Sequence, residues 1–394
     1  MSKISVLVSF AMRDMIKKKG LLALIVISMG VAFTAMIITS SVFEGFNNML
    51  REGEIGWLGH IVIRPQKGQL GISNIDRVKS ELDNIREIQS YSVRSYGIVA
   101  IKYGNAFYQP YKTMGVDSAE EHTSSLKNRV IEGNFVSELR PNEILIGKLM
   151  AQSLEGNPYG KNRVAVGTKV ELVNQLGISQ PYTVVGIIDG KTFIPNWLII
   201  LNKSELEKID NSQINSEIAI KLNNINDIVK VKKMLEDKNL AVNIYSWKEQ
   251  AGYVDDIIAG VSFITNLING LVVATVFVLV SIIIFINILQ KKRQIGILKS
   301  MGLSNLFVIS VYIFETFVYV FLSCIIGFAI FYCAHLYSNR FPISMLIGDF
   351  HTILTTDMLV KSIVTMFIAS VAGTLIPAFI AAKIKIIDVI RDSV

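Results

Sequence analysis

With 394 residues, 51% of them hydrophobic and 18% charged, the chain carries more apolar side chain than a water-soluble domain of this length can bury. Its mean hydropathy of +0.46 excludes an ordinary soluble enzyme and a disordered chain alike. The formal charge of +7 is concentrated in short segments beside long apolar runs, so it reads as a topology signal and not as a nucleic-acid footprint.

Residues 1–20 place Ile4, Leu7, Val8, Ala11 and Met15 at helical spacing beside Arg13 and Lys17. This predicts an amphipathic helix on the inner membrane surface. Residues 21–43 form the first span. They exceed the roughly 7–15 apolar residues of a cleaved signal segment, so an uncleaved anchor is expected. Phe43, Phe46, Met49 and Leu50 continue its helical pattern outward.

Residues 44–256 have 25 basic and 26 acidic side chains, a near balance that suits a folded domain. "GHIVIRP" (59–65), "SNIDRVKSELDNI" (73–85) and "SVRSYGIVAIKYG" (92–104) read as strand, helix, strand. "SEIAIKL" (216–222), "INDIVKVKKMLEDK" (225–238) and "LAVNIYS" (240–246) repeat that order. The insert between them, about 116–206, is β-rich. "NEILIGKLMAQSL" predicts a strand running into a helix, and "LGISQ" (176–180) predicts a hairpin loop. "GNPYGKN" (156–162) lacks both the spacing and the hydroxyl of a phosphate loop and is assigned to a turn.

Ser246 and Glu249 form a capping box, and no proline follows before Leu289, so one helix is expected from there through the second span, residues 257–289. It is longer than a bilayer needs and should project as a stalk. Ser262, Thr265, Asn266 and Asn269 in its outer half suit packing against other helices. Residues 290–305, "QKKRQIGILKSMGLSN", predict a short separate helix. Ile295, Ile297, Leu298 and Met301 give it an apolar side, Gly302 ends it in a left-handed conformation, and Ser304 caps the next span.

The third span, 306–336, contains Glu315, which must face protein or a basic partner. Its Cys324 and Cys333 are too far apart along a helix for a disulfide and read as small packing residues. An external loop (337–358), a fourth span (359–380) and a tail (381–394) complete the chain. Residues 1–20 and 290–305 each carry a net charge of +4. Both termini and the 290–305 loop are therefore expected in the cytosol, with 44–256 outside, in a multi-pass protein of the cell (inner) membrane. The fold class is an α-helical membrane protein with four transmembrane helices plus a large extracytoplasmic α+β domain, two βαβ units flanking a β-rich insert.

His60, His122, His335 and His351 are scattered without metal-ligand spacing, and no nucleophile or nucleotide motif is present. No catalytic or metal-ligating residues are expected, and energy must come through a partner.

"RQIGILKSMGLS" (293–304) resembles the motif between the second and third spans of FtsX-like ABC transporter permeases, the MacB and LolC/LolE group, with Gln294 where the family has Glu. "YIFETF" (312–317), "IEGNF" (131–135), "EILIGKLMAQSL" (143–154) and "IPAFIAAKIKIIDVIR" (376–391) extend the resemblance over nearly the whole chain. It implies a permease subunit that works by mechanotransmission and is not itself an enzyme. ATP and Mg would be held by a separate ABC ATPase, docked on Arg293, Ile295, Gly296, Ile297, Leu298, Lys299, Met301 and Gly302. It further implies a second permease, contacts with membrane lipids, an extracytoplasmic carrier or adaptor protein, and release of lipoproteins or export of an amphipathic substrate. "LGISQ" is shorter than the hook that holds a carrier in the LolC/LolE branch. MacB-like efflux, FtsX-like control of a cell-wall hydrolase and a peptide-sensing permease are the alternatives.

Overall fold

A computed structural model describes residues 19–135, 141–156, 163–210, 214–300, 302, 304–345 and 348–383. The helices of nine or more residues are α1 (Lys19–Leu58), α2 (Ile75–Asp83), α3 (Ile228–Glu236), α4 (Gly252–Ser300), α5 (Asn305–Arg340) and α6 (Thr356–Ala382). The chain divides into two units. One comprises Asn47–Ile258 with Ile343–Phe350; the other holds the rest of α1 and α4 together with α5 and α6. The expected N-terminal amphipathic helix, most of the 156–162 turn and most of the tail lie outside the described residues.

In the first of these units, β1 (Ile61–Pro65), β2 (Ile88–Gly97), β3 (Ala100–Tyr103), β4 (Ala106–Tyr108) and β5 (Lys112–Val116) are followed by β6 (Val130–Gly133), β7 (Glu143–Gly147), β8 (Lys169–Val173), β9 (Ser179–Ile188), β10 (Leu198–Asn202), β11 (Glu217–Leu222) and β12 (Val242–Ser246). The two strand-helix-strand repeats do not stand side by side. They interleave in the order β12-β1-β11-β2, all antiparallel, with Ile61 opposite both Ile220 and Ser246. This is a split βαβ arrangement. Ile75, Val78 and Leu82 of α2, and Ile228, Val231 and Leu235 of α3, recur at helical spacing. They cover one face of that sheet, packing with Ile61, Ile63, Val93, Ile218 and Ile220. Each such side chain contributes on the order of 1.5–3 kcal/mol by leaving water.

The insert builds the remaining strands around β7, β9 and β10, whose Ile144, Ile146, Val184, Ile187, Ile199 and Leu201 form a second core. The expected single strand over 92–104 is two strands. β2 ends at Gly97, where a Cβ would lie 2.8 Å from Leu206 Cδ1, and the chain then crosses to the insert sheet as β3 beside β8. The insert therefore begins near residue 100, not 116. The hairpin is as expected: β8 and β9 pair, and Asn174 closes their loop by accepting from the backbone N–H groups of Leu176 and Ile178.

The capping box also forms, with Ser246 Oγ accepting from Glu249 N. It caps only the one-turn helix Trp247–Gln250, however. The chain turns at buried Ala251 and α4 starts at Gly252, so the expected unbroken helix begins five residues late. Ile343–Met345 (β13) and Gly348–Phe350 (β14) pair as a small hairpin that belongs to this unit. A Cβ on Gly348 would lie 3.0 Å from Lys191 Cα.

The other unit holds the apolar helices. Among the described residues four helices, including α1, are long and apolar enough to cross a membrane. Close approaches at glycines set their packing. Gly327 of α5 faces the Gly30 carbonyl so closely that a Cβ would lie 2.6 Å from it, and Thr34 Oγ1 donates to the Gly327 carbonyl at 3.0 Å. Ser281 Oγ of α4 donates to the Gly373 carbonyl of α6 at 2.7 Å, and the Thr316 and Thr374 hydroxyls meet at 2.6 Å. Small residues and interhelical hydrogen bonds are the expected glue where lipid removes the hydrophobic drive.

Candidate coupling site

α4 runs 49 residues without interruption, roughly 73 Å at 1.5 Å per residue. Residues 290–300 are its last turns. This corrects the expectation of a separate short helix, because nothing between Leu289 and Lys299 breaks helical hydrogen bonding. Gly302 then takes φ +88°, its N–H bonding the Lys299 carbonyl at 3.0 Å, and Ser304 Oγ accepts from Phe307 N to start α5.

Helix geometry divides the candidate residues. Arg293 and Gly302 are exposed and Ile297 is 52% exposed. Ile295, with Gly296 beside it, points inward instead and packs at 4% exposure into the core with Val308 and Tyr312, so it is not part of an outward apolar side. Lys299 donates to the Ala382 carbonyl at 2.7 Å, capping the C-terminal end of α6. Met301 and the Leu298 side chain lie outside the described residues.

Glu315 is fully buried, and its partner is Lys291, itself 4% exposed, with Nζ 3.3 Å from Glu315 Oε1. Asn287 Nδ2, one turn before Lys291, donates to Glu315 Oε2 at 3.2 Å, and the ammonium lies 5.6 Å from the Tyr312 ring centroid. Sequence reading assigned Lys291 to the topology charge. The signal that finds the pair is symmetry: Lys291 stands eleven residues before Gly302, at the turn, and Glu315 thirteen after it, so an antiparallel hairpin brings them nearly level. Two lysines thus tie the last turns of α4 to α5 and α6. Higher on α4, Asn269 Nδ2 reaches Ser40 Oγ of α1 at 3.2 Å, whereas Asn266 is exposed. His335 Nδ1 and Thr352 Oγ1 are 2.7 Å apart, so this histidine is engaged within the unit.

The family models settle what this arrangement belongs to. A MacB-like periplasmic core domain matches residues 21–238, and an FtsX-like permease C-terminal domain matches residues 266–386. The chain belongs to the MacB-like and FtsX-like permease family. The permease is 25% identical over 305 residues to the lipoprotein-releasing system transmembrane protein LolC of Buchnera aphidicola subsp. Schizaphis graminum, covering 75% of this chain and 73% of that one. Among solved structures it resembles the extracellular domain of the noncanonic ABC-type transporter YknZ from Gram-positive bacteria. That match has 15% identity, 48% and 98% coverage and a TM-score of 0.34. It also resembles the periplasmic region of MacB from Actinobacillus actinomycetemcomitans, at 11% identity, 51% and 94% coverage and a TM-score of 0.34. Permeases of this family are components of ABC transporters.

Proposed function

We propose that this permease couples ATP hydrolysis by a separate ABC ATPase to movement of its extracytoplasmic unit, and that the movement serves release of a lipoprotein or another lipid-like, amphipathic substrate. The observation that carries this reading is the end of α4. Arg293 and Ile297 are presented outward while Lys291 and Lys299 bind the same turns to α5 and α6. A groove on the ATPase that seats those turns would move three helices together. ATP and Mg belong to the ATPase; the permease supplies the docking surface and the levers. The similarity to a lipoprotein-releasing protein supports the substrate class.

The basic ends of the spans support cytosolic termini and an extracytoplasmic 44–256 region. Exposed Asn266 lies among exposed Phe263, Leu267 and Leu271 on α4. A polar amide is costly against lipid, which favours a second permease packed on this face, in an assembly with two ATPases. The test is Ile297→Asp. The residue is half exposed, so the fold survives, but a carboxylate buried without a partner in the docking groove costs several kcal/mol. Loss of ATPase association in a pull-down with an intact, protease-resistant extracytoplasmic unit is the expected result. Normal association would reject the docking surface.

A further inference from the structure

The stretch "REGEIGWLGH" (51–60) ends α1 and is unlike the apolar helix before it. A helix leaves its last four carbonyls without intrahelical partners and carries partial negative charge there, and α1 has no basic residue of its own in the last turn. Arg94 and Ser125 of the unit Asn47–Ile258 supply two of the missing partners, and Arg129 adds bonds to carbonyls about one turn earlier. Arg129, from a single helical turn in the insert, donates through Nη2 to the Glu52 carbonyl at 2.6 Å, and through Nη1 to the Gly53 carbonyl at 3.2 Å and the Gly190 carbonyl at 2.6 Å. Arg94 Nη2 donates to the Trp57 carbonyl at 2.6 Å, and Ser125 N to the Gly56 carbonyl at 2.7 Å.

Two glycines make room for this. A Cβ on Gly56 would lie 2.3 Å from the Arg129 guanidinium, and one on Gly53 would lie 2.2 Å from Thr192 Cγ2. Their spacing of three places both notches on one side of the helix. Between them stands Glu54, fully buried. Trp57 Nε1 donates to its Oε2 at 2.7 Å, and the Tyr253 hydroxyl, from the first turn of α4, donates to its Oε1. The helix that enters the unit and the helix that leaves it therefore meet on one carboxylate, and two arginines clamp the first of them, Arg94 to β2 and Arg129 to the insert.

We propose that Arg129, Glu54 and Tyr253 form a transmission joint. They are positioning residues through which a displacement of α1 or α4 is delivered to the extracytoplasmic unit instead of being lost by bending at the helix ends. The inference rests on the coupling function proposed above and adds the residues that carry the load outside the membrane. A turn at Ala251 precedes α4, so backbone continuity alone does not make this connection stiff; the Tyr253 to Glu54 hydrogen bond does.

The experiment uses the full chain purified with its ATPase, spin-labelled at Lys169 and Asp357, both exposed, with the distance compared in the nucleotide-free and ATP-vanadate-trapped complex. The unlabelled sites are then varied. Tyr253→Phe removes one hydroxyl and Arg129→Lys keeps the charge but loses the fork that spans three carbonyls. The expected result is a nucleotide-dependent distance change at least halved in both variants, with ATP turnover within twofold of wild type and unchanged melting of the extracytoplasmic unit. A full-sized distance change in folded Tyr253→Phe would overturn the joint, as would loss of ATPase association, which would place the effect at the docking end. If Arg129→Lys does not fold, Tyr253→Phe alone decides. If the wild-type protein binds no ATPase, the coupling function itself fails, and the joint with it.

Discussion

Lys291 Nζ lies 3.3 Å from Glu315 Oε1 in the apolar interior, with both side chains almost wholly withdrawn from solvent. Such a pair is weak evidence for stability in itself, but breaking it from one side leaves a buried charge without compensation. Glu315→Ala is therefore expected to destabilise by about 3–5 kcal/mol, whereas Glu315→Leu combined with Lys291→Met recovers most of the loss. Thermal unfolding in detergent, followed by circular dichroism, separates the two. A single variant as stable as the double would show that the pair is not energetically coupled.

A second charged cluster sits in the unit Asn47–Ile258. Arg94, fully buried, donates to Glu120 through Nε at 2.9 Å and Nη2 at 2.6 Å and to Glu217 through Nη1 at 3.1 Å, while Arg64 Nη2 reaches Glu217 at 2.7 Å. Burial works against ionising Glu217, but the charges of Arg94 and Arg64 outweigh it and hold its pKa below the ordinary value of 4.5. A depressed carboxylate contributes stability that is present above about pH 4.5 and is lost as pH falls through the lower folded pKa. Arg94→Leu removes the guanidinium that Glu120 and Glu217 share and leaves Glu217 with Arg64 alone, so the variant should lose several kcal/mol at neutral pH and lose less stability than wild type on mild acidification. Melting curves between pH 4 and pH 8 check this, and parallel profiles for the two proteins would refute it.

His60 offers a pH test nearer neutrality. Its Nδ1 accepts from Leu222 N at 3.0 Å, which requires the neutral ring, and burial together with the charge of Lys221 holds its pKa below 6.5. The corresponding stability is complete above pH 6.5 and declines as pH falls through the folded pKa. His60→Asn can keep an acceptor at that position without titrating. The wild-type advantage in melting temperature over His60→Asn should be largest at pH 7.5 and narrow by pH 5, and a constant difference would sink the assignment.

Gly56→Ala would set a methyl 2.3 Å from the Arg129 guanidinium, so the arginine must withdraw. Overpacking of this kind costs about 1–3 kcal/mol. Gly260→Ala on α4, where an added Cβ meets nothing within 4 Å, should instead gain up to about 1 kcal/mol from helix propensity. Paired denaturation of the two variants would show opposite shifts, and shifts of the same sign would contradict the notch.

How far these features could be read in the sequence follows the range of the interaction that sets them. The spans, the Ser246 capping box, the left-handed Gly302 and the Ser304 cap depend on residues within a few positions of one another, and all are where the pattern placed them. The two strand-helix-strand repeats were legible one by one. Their interleaving was not, because Ile61 pairs with Ile220 across more than 150 residues and the alternation of side chains is silent about partners. Arg129 was invisible for the same reason: its carbonyl partners on α1 are 76 and 77 positions earlier. Ile295 and Ile297 were grouped on one apolar side, yet two positions on a helix lie about 200° apart, and the packing of α5 shows which of the two faces the core. Lys291 was readable in principle from the hairpin symmetry but carried a stronger competing signal as one of four basic residues beside a span.

The interleaved sheet sets an order for biogenesis. β1 lies between β11 and β12, so the first strand to be synthesised has both edges filled by strands made after residue 216. Until they arrive, β1 carries open edges, the condition that invites pairing with other chains. Contacts of such long sequence separation also close slowly. A chain truncated inside the insert would thus leave this edge permanently uncovered, so premature termination anywhere between residues 66 and 216 should yield an aggregation-prone product, not a smaller working domain.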